Sequence, residues 1–408
     1  MSVPIAPMGA PIDALPLVTA LYVHVPFCVS KCAYCDFTSA VSDARWHAPY
    51  VDAVLYAAAH WSSYGVLDDV GSLYIGGGTP TILGDELVRL VAGLRETAVM
   101  RSGAEITVET NPETTNECGI AALAAAGVNR FSLGVQSFDD AVLRTLGRRH
   151  SATRAQAAAD VLGRSGQRFS VDLICGVPGQ SVASWRESVE RAIATGAGHV
   201  SVYPLSIEEG TPLARALDEG RMPEPDPDAA ADMMELARTL LASDGLARYE
   251  VASYSRPGEE SRHNSSYWTG RAYLGLGPSA ASMLPAAAFA PIAASEGWDV
   301  VPETAARCRF TATSDTAEWL RDPLREAAET ECLTAHETAR EDVMLGMRRS
   351  VGVPAEEVAA AGLDDVLDSL ATSGLVELPC DAVGARWRPT QRGWLLGNEV
   401  FGRIWSGE

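Results

Sequence analysis

Cys28, Cys32 and Cys35 stand in the run Tyr22-Val-His-Val-Pro-Phe-Cys-Val-Ser-Lys-Cys-Ala-Tyr-Cys-Asp-Phe37. The spacing, three residues and then two between thiols, offers three sulfur ligands and no fourth nearby. A closed structural zinc site takes four protein ligands, so a zinc knuckle here needs a distant fourth. A cubane iron–sulfur cluster held by three thiolates leaves one iron open to a ligand that is not protein. The spacing therefore points to metal chemistry at an open corner, with a zinc knuckle or unrelated core thiols as the competing readings. Phe27 and Tyr34 flank the cysteines, and rings there would keep water from a cluster, one of the levers on its potential.

Further candidate residues stand where apolar runs end. Gly76-Gly-Gly-Thr-Pro80 follows such a run, and glycines at a strand end let a ligand approach the backbone closely. Glu109 could accept hydrogen bonds from hydroxyls or an amine. Gln136 ends another run, Asp172 lies within Val171–Pro178, and Arg148 could make a charge-assisted bond to a carboxylate, with Arg149 as its competitor. Singly, each is an ordinary solvated or capping residue. The chain has seven histidines, and His263 is the one flanked by both Tyr267 and Trp268, in Arg262-His-Asn-Ser-Ser-Tyr-Trp268. Imidazole is a good axial ligand for haem iron, and flat rings can pack on a porphyrin. A buried polar corner, with His263 and Asn264 satisfying backbone groups, is the equal alternative. Cys118, Cys175, Cys308, Cys332 and Cys380 are scattered and read as packing residues without a metal role.

Together these motifs resemble the radical S-adenosylmethionine (SAM) superfamily. Within it, His24-Val-Pro-Phe-Cys28 resembles the HemN/HemW family of oxygen-independent coproporphyrinogen oxidases and haem chaperones. The resemblance implies a [4Fe–4S] cluster on Cys28, Cys32 and Cys35. It implies that SAM chelates the open iron and is cleaved by a cluster electron to a 5′-deoxyadenosyl radical. By the same resemblance SAM meets Tyr22, Tyr34, Gly77, Gly78, Thr79, Glu109, Gln136, Arg148 and Asp172, and haem meets His263, Asn264, Tyr267 and Trp268. The oxidase branch has a further cysteine two positions after the third ligand; here that position is Phe37, as in the chaperone branch. The favoured expectation is a haem chaperone whose partners are haem, haem-accepting proteins and an electron donor for the cluster. The alternatives are an oxidase that abstracts hydrogen atoms from two propionates, and a zinc-dependent regulator. One departure is Ala281, after Gly275-Leu-Gly-Pro-Ser-Ala280, where family members often carry histidine; if that histidine assists haem, binding here is weaker or uses another residue.

The elements that must position these residues read as strand then helix, repeated about six times. Strands are expected at Leu21–Val25, Ser72–Ile75, Glu105–Thr110, Arg130–Val135, Ser170–Cys175 and His199–Tyr203. Helices are expected at Tyr50–His60, Asp85–Thr97, Asn116–Ala126, Arg154–Arg164 and Ser184–Ala194. This is an α/β pattern with a parallel sheet; the resemblance implies a partial (β/α)6 barrel. Residues 1–16 read as a loose tail and 17–284 as the barrel domain with its haem-motif extension. Residues 285–326 read as a connecting region, poor in cues from Pro285 to Pro302. Residues 327–408 read as a helical, winged-helix-like domain, with a short hairpin (Leu375–Leu378, Arg386–Pro389) and a last helix over Gln391–Ile404. Of the 408 residues, 47% are hydrophobic, which argues for a globular chain. The net charge of −21 disfavours nucleic acid and anionic membranes, which need basic patches. Eight cysteines without a basic leader suggest a reducing cytoplasm.

Overall fold

The computed structural model describes residues 18–325, 327, 329–381 and 384–408, so the expected tail over 1–16 lies outside the described residues. Through the first half, strand and helix alternate: β1 (Ala20–Val25), α1 (His47–Ser63), β2 (Val70–Gly77), α2 (Asp85–Thr97), β3 (Met100–Thr110), α3 (Glu117–Ala126), β4 (Arg130–Gln136), α4 (Ala152–Ser165), β5 (Arg168–Cys175), α5 (Val182–Ala194) and β6 (His199–Pro204). From β1 to β6 each strand pairs in parallel with the next, because each connection carries a helix back across the sheet. Strands covered by helices lose water from both faces. That is why they read as aliphatic runs: Leu21, Val23 and Val25 of β1 and Leu73 and Ile75 of β2 are fully buried. The helices start where the sequence supplies a cap. Asn116, Ser151 and Ser181 accept hydrogen bonds from the amides of Gly119, Arg154 and Ser184, satisfying groups that the first turn leaves free. Trp185 of α5 is fully buried and its indole N–H donates to the Met233 carbonyl at 2.7 Å. That bond ties α5 to α6 (Pro227–Ser243).

The sheet stays open and grows at both edges. Beyond β6 lie β7 (Ala247–Arg248) and β8 (Ser253–Ser255), followed by the short helix α7 (Arg262–Tyr267). Beyond β1 lie β9 (Tyr273–Leu276), β10 (Ala281–Pro285), β11 (Ala305–Thr311) and β12 (Glu329–Thr334). The order among the described residues is β12-β11-β10-β9-β1-β2-β3-β4-β5-β6-β8-β7. The architecture is thus a partial (β/α)6 barrel with largely antiparallel extensions.

Part of the expected connection is built into this sheet. Between β10 and β11 lies helix α8 (Ala286–Glu296), where the sequence reads as poor in cues. Phe289 of α8 stacks on Phe310 with ring centroids 4.7 Å apart, and Phe310 stacks on Trp61 of α1 at 5.7 Å. The cue is weak because alanines surround the helix and mask any polar face.

After β12, Thr334 caps α9 (Ala335–Gly346) in a reciprocal capping box with Glu337. Helices α10 (Ala355–Ala360), α11 (Asp364–Thr372) and α12 (Gly397–Ser406) enclose a second core that includes Val343, Met347, Leu367, Leu370, Val400 and Ile404. The short hairpin is present, with Val376 opposite Pro389 and Glu377 opposite Arg388. The expected single last helix is two, Gln391–Leu395 and α12, broken at Leu396.

Candidate cofactor site

The C-terminal ends of β1 to β6 and the loops after them enclose one cavity of about 470 Å³. The cysteine loop leaves β1 through Pro26 and is pinned at several points. The Ala40 and Ser42 amides donate to the Pro26 and Cys28 carbonyls, and the Ala33 amide to Leu146 O at 3.0 Å. His24 holds the base of the loop: its Nε2 donates to Thr38 O at 2.8 Å and its Nδ1 accepts from the Tyr22 hydroxyl at 3.0 Å. Cys28, Cys32 and Cys35 all line the cavity.

The glycine ridge after β2 lies against this loop. Gly78 N–H donates to Val25 O at 2.8 Å and Thr79 N–H to Phe27 O at 2.7 Å. A Cβ on Gly78 would stand 2.5 Å from Phe27 O and 3.0 Å from Cys28 Sγ, so no side chain fits. Gly77 has φ +103°, and a Cβ there would strike the His24 ring at 2.6 Å. Two backbone runs therefore touch where the first thiol emerges.

Arg148 crosses from the opposite side. Its Nη1 donates to Cys32 Sγ at 3.4 Å, and its Nη2 to Asn111 Oδ1 at 2.5 Å and Gly134 O at 2.9 Å. Its Nε is buried without a hydrogen-bond partner among the described residues. Asn111 in turn donates to Thr79 Oγ1 at 2.6 Å, linking the arginine to the glycine ridge. Glu109 accepts from the Tyr74 hydroxyl at 2.7 Å and from Gly77 N–H at 3.0 Å. Burial pushes its carboxyl up to about 7. Asp172 accepts from Ser132 Oγ at 2.9 Å and is likewise raised by burial. Two carboxyls that burial raises, both lining the cavity, can accept or share protons with ligand hydroxyls and amines.

Of the residues singled out from the sequence, Tyr34, Gly77, Gly78, Thr79, Glu109, Gln136, Arg148, Asp172 and Asn264 line the cavity with the three cysteines. Gln136 does so with φ 66°, a conformation rare outside glycine. Tyr22 lies outside the lining, in a ring group with Tyr74 and His263. The His263 motif divides. His263 is 1% exposed; its Nδ1 is hydrogen-bonded to Ser72 Oγ at 3.0 Å and its Nε2 to Tyr267 Oη at 2.9 Å. Burial lowers its pKa to about 3. With both nitrogens engaged, the imidazole does not fit an open axial position in this arrangement. Tyr267 serves as its partner, and Trp268 Nε1 donates to Glu250 Oε2 at 3.1 Å. Asn111, Arg130, Ser132 and Tyr203 also line the cavity but were not singled out. Counting back by two along β4 from Gln136 reaches Gly134, Ser132 and Arg130, so strand alternation carried that signal.

Three thiols in the wall of one cavity are a donor set that fits a cluster held on three thiolates. Among the described residues no three His, Cys, Asp or Glu side chains are gathered closely enough to hold one metal ion. A cube takes its thiolates on different irons and asks for no such convergence.

The radical SAM superfamily model matches residues 22–192, the stretch that carries the cysteine loop and the strands β1 to β5, into α5. The haem chaperone HemW of Mycobacterium tuberculosis is 36% identical over 401 residues, covering 96% of this chain and 95% of that protein. The chain belongs to the HemN/HemW family of radical SAM proteins. The haem chaperone HemW of Bacillus subtilis, a second relative in this family, is 30% identical over 93% of this chain and 97% of its own length. The fold of the family is seen in the structure of coproporphyrinogen III oxidase (HemN) from Escherichia coli. It superposes with a TM-score of 0.76 over 96% of this chain and 91% of its own, at 22% identity.

Proposed function

We propose that this chain is a haem chaperone: it holds a [4Fe–4S] cluster on Cys28, Cys32 and Cys35, places SAM against the open iron, binds haem and hands it to acceptor proteins. The observation that carries the cofactor half is that three thiols, a side-chain-free glycine ridge and a buried guanidinium face one cavity. The chaperone half rests on relatives of that name matched over nearly the whole chain, and on Phe37 where the oxidase branch has cysteine.

Bound there, cluster and SAM would supply one-electron chemistry at the open iron. The chain's own residues do the rest. Arg148 offsets the charge on the Cys32 sulfur and, through Asn111, keeps the ridge in register with it. Gly77 and Gly78 offer backbone to a close ligand, while Glu109, Asp172 and Gln136 can receive its hydroxyl and amine hydrogens. Tyr34, in the cavity wall, limits water. Asn264 faces this space, and His263 holds α7 so that it does. The haem-contacting residues are therefore proposed to begin at Asn264, with His263 as a positioning residue.

The test is an anaerobic comparison of two activities in reconstituted protein. Haem should titrate to a stoichiometric end point and pass to an apo-haemoprotein, with no turnover of coproporphyrinogen in the presence of SAM and a reductant. Catalytic formation of protoporphyrinogen would overturn the chaperone reading in favour of the oxidase.

A further inference from the structure

Cys308 and Cys332 lie outside the cofactor cavity and serve nothing described so far. They are direct cross-strand partners on β11 and β12, the outermost pair at that edge of the sheet. Residues directly opposite in an antiparallel pair have Cα atoms about 4.5 or 5.5 Å apart. Both values fall in the window of about 4.4–6.8 Å that a disulfide spans. Both thiols are free, and their sulfurs are in contact at 2.8 Å. Cys308 is 0% exposed, whereas Cys332 is half-buried. Cys332, on the edge strand, is thus the more accessible of the two residues.

We propose that Cys308 and Cys332 form a reversible dithiol–disulfide couple, a redox modification site that exchanges with low-molecular-weight disulfides of the glutathione class. Burial pushes the Cys308 thiol up, which makes Cys332 the attacking sulfur, since the thiolate is the nucleophile. The Cys332 thiolate, having given its proton to water, attacks the small disulfide. One S–S bond breaks, a mixed disulfide forms, and one small thiolate leaves and takes up a proton. The Cys308 sulfur then attacks Cys332 Sγ, loses its proton and expels the second small thiol. Two protein thiols are oxidised and one small disulfide is reduced to two thiols.

The place of the couple gives it a consequence. β12 leads directly into α9. Arg307 and Arg309, on either side of Cys308, hold Glu341 and Asp342 of α9. Arg307 also donates to the Gly270 carbonyl at 3.1 Å, two residues beyond Trp268. Oxidation would staple the edge strand at the joint between sheet, C-terminal helices and the His263 motif.

The experiment equilibrates the full chain anaerobically in glutathione buffers of graded disulfide-to-thiol ratio, blocks free thiols and maps them by proteolysis and mass spectrometry. The expected result is a Cys308–Cys332 crosslink that rises with the ratio and reverses with excess thiol. C308S should instead accumulate glutathione on Cys332, and C332S should show neither product. Amide hydrogen exchange along β12 should slow on oxidation of the wild-type chain. Recovery of both residues as blocked thiols at every ratio would overturn the couple, as would a crosslink of either to a different cysteine. Unchanged exchange along β12 would overturn the stapling.

Discussion

Glu109 stands near the end of β3 inside the protein, and its surroundings resist the charge of its carboxyl. Its ordinary value of 4.5 is pushed to about 7, chiefly by burial. Between those values the folded protein keeps a proton that the unfolded chain has released. The contribution therefore favours folding below pH 4.5 and is lost as pH rises to about 7, a change of roughly 3 kcal/mol. Glu109→Gln lacks this dependence. In urea denaturation its stability relative to wild type should climb by about that amount across the window, and a flat difference would mean the carboxyl titrates normally. His263 gives the second expectation at this scale. Both of its nitrogens are engaged and it is fully enclosed, so His263→Ala should cost about 2–4 kcal/mol of stability through a cavity and two unpaired hydroxyls. The Soret maximum of bound haem should stay where it is, and a displaced maximum would return the imidazole to the iron. The motif spelled out the residue types but not their roles. A histidine beside a tyrosine and a tryptophan reads alike whether it faces a ligand or, as here, locks into Ser72 and Tyr267.

At the scale of elements, the site is a contact between two backbones: the loop leaving β1 and the ridge leaving β2. Gly78→Ala would press a methyl group against two carbonyl oxygens and the Cys28 sulfur. It should lower stability by about 1–3 kcal/mol and reduce cluster occupancy after reconstitution. Full occupancy measured by iron content would show that the two backbones can separate without harm. The six parallel strands were legible because burial on both faces leaves nearly unbroken aliphatic runs, as in β1 and β2. Residues 285–311 were not legible, because α8 is mostly alanine and the stack that holds it, Phe289 on Phe310, ends on Trp61 of α1, far off in sequence. Asn111 escaped notice for another reason. Its role rests on Arg148 and Thr79 reaching it from two other loops, and no local pattern announces such a bridge.

For the whole molecule, the question is what holds the C-terminal helices to the barrel. Glu341 of α9 is buried and accepts from both Arg307 at 2.6 Å and Arg309 at 2.5 Å, while Asp342 pairs with Arg307 at 2.8 Å. Removing one partner of a buried ionic group costs about 3–5 kcal/mol; Arg309 still serves Glu341, so Arg307→Met should fall near 3. Calorimetry should resolve the C-terminal helices melting ahead of the barrel, and a single unshifted transition would place the attachment elsewhere. Among the described residues no helix is long and apolar enough to cross a membrane. The chain's charge of −21 makes its surface self-repelling.

Three thiols facing one cavity with an iron corner left open is the proposition on which cofactor, SAM and haem handling all depend. Metal analysis after oxygen-free reconstitution, run on wild type and Cys32→Ser side by side, tests it most directly. Wild type should carry about four irons and four sulfides per chain with the broad visible absorbance of a cube, and Cys32→Ser should carry almost none. One zinc per chain and no sulfide in the wild type, or an undiminished cluster in Cys32→Ser, would contradict it.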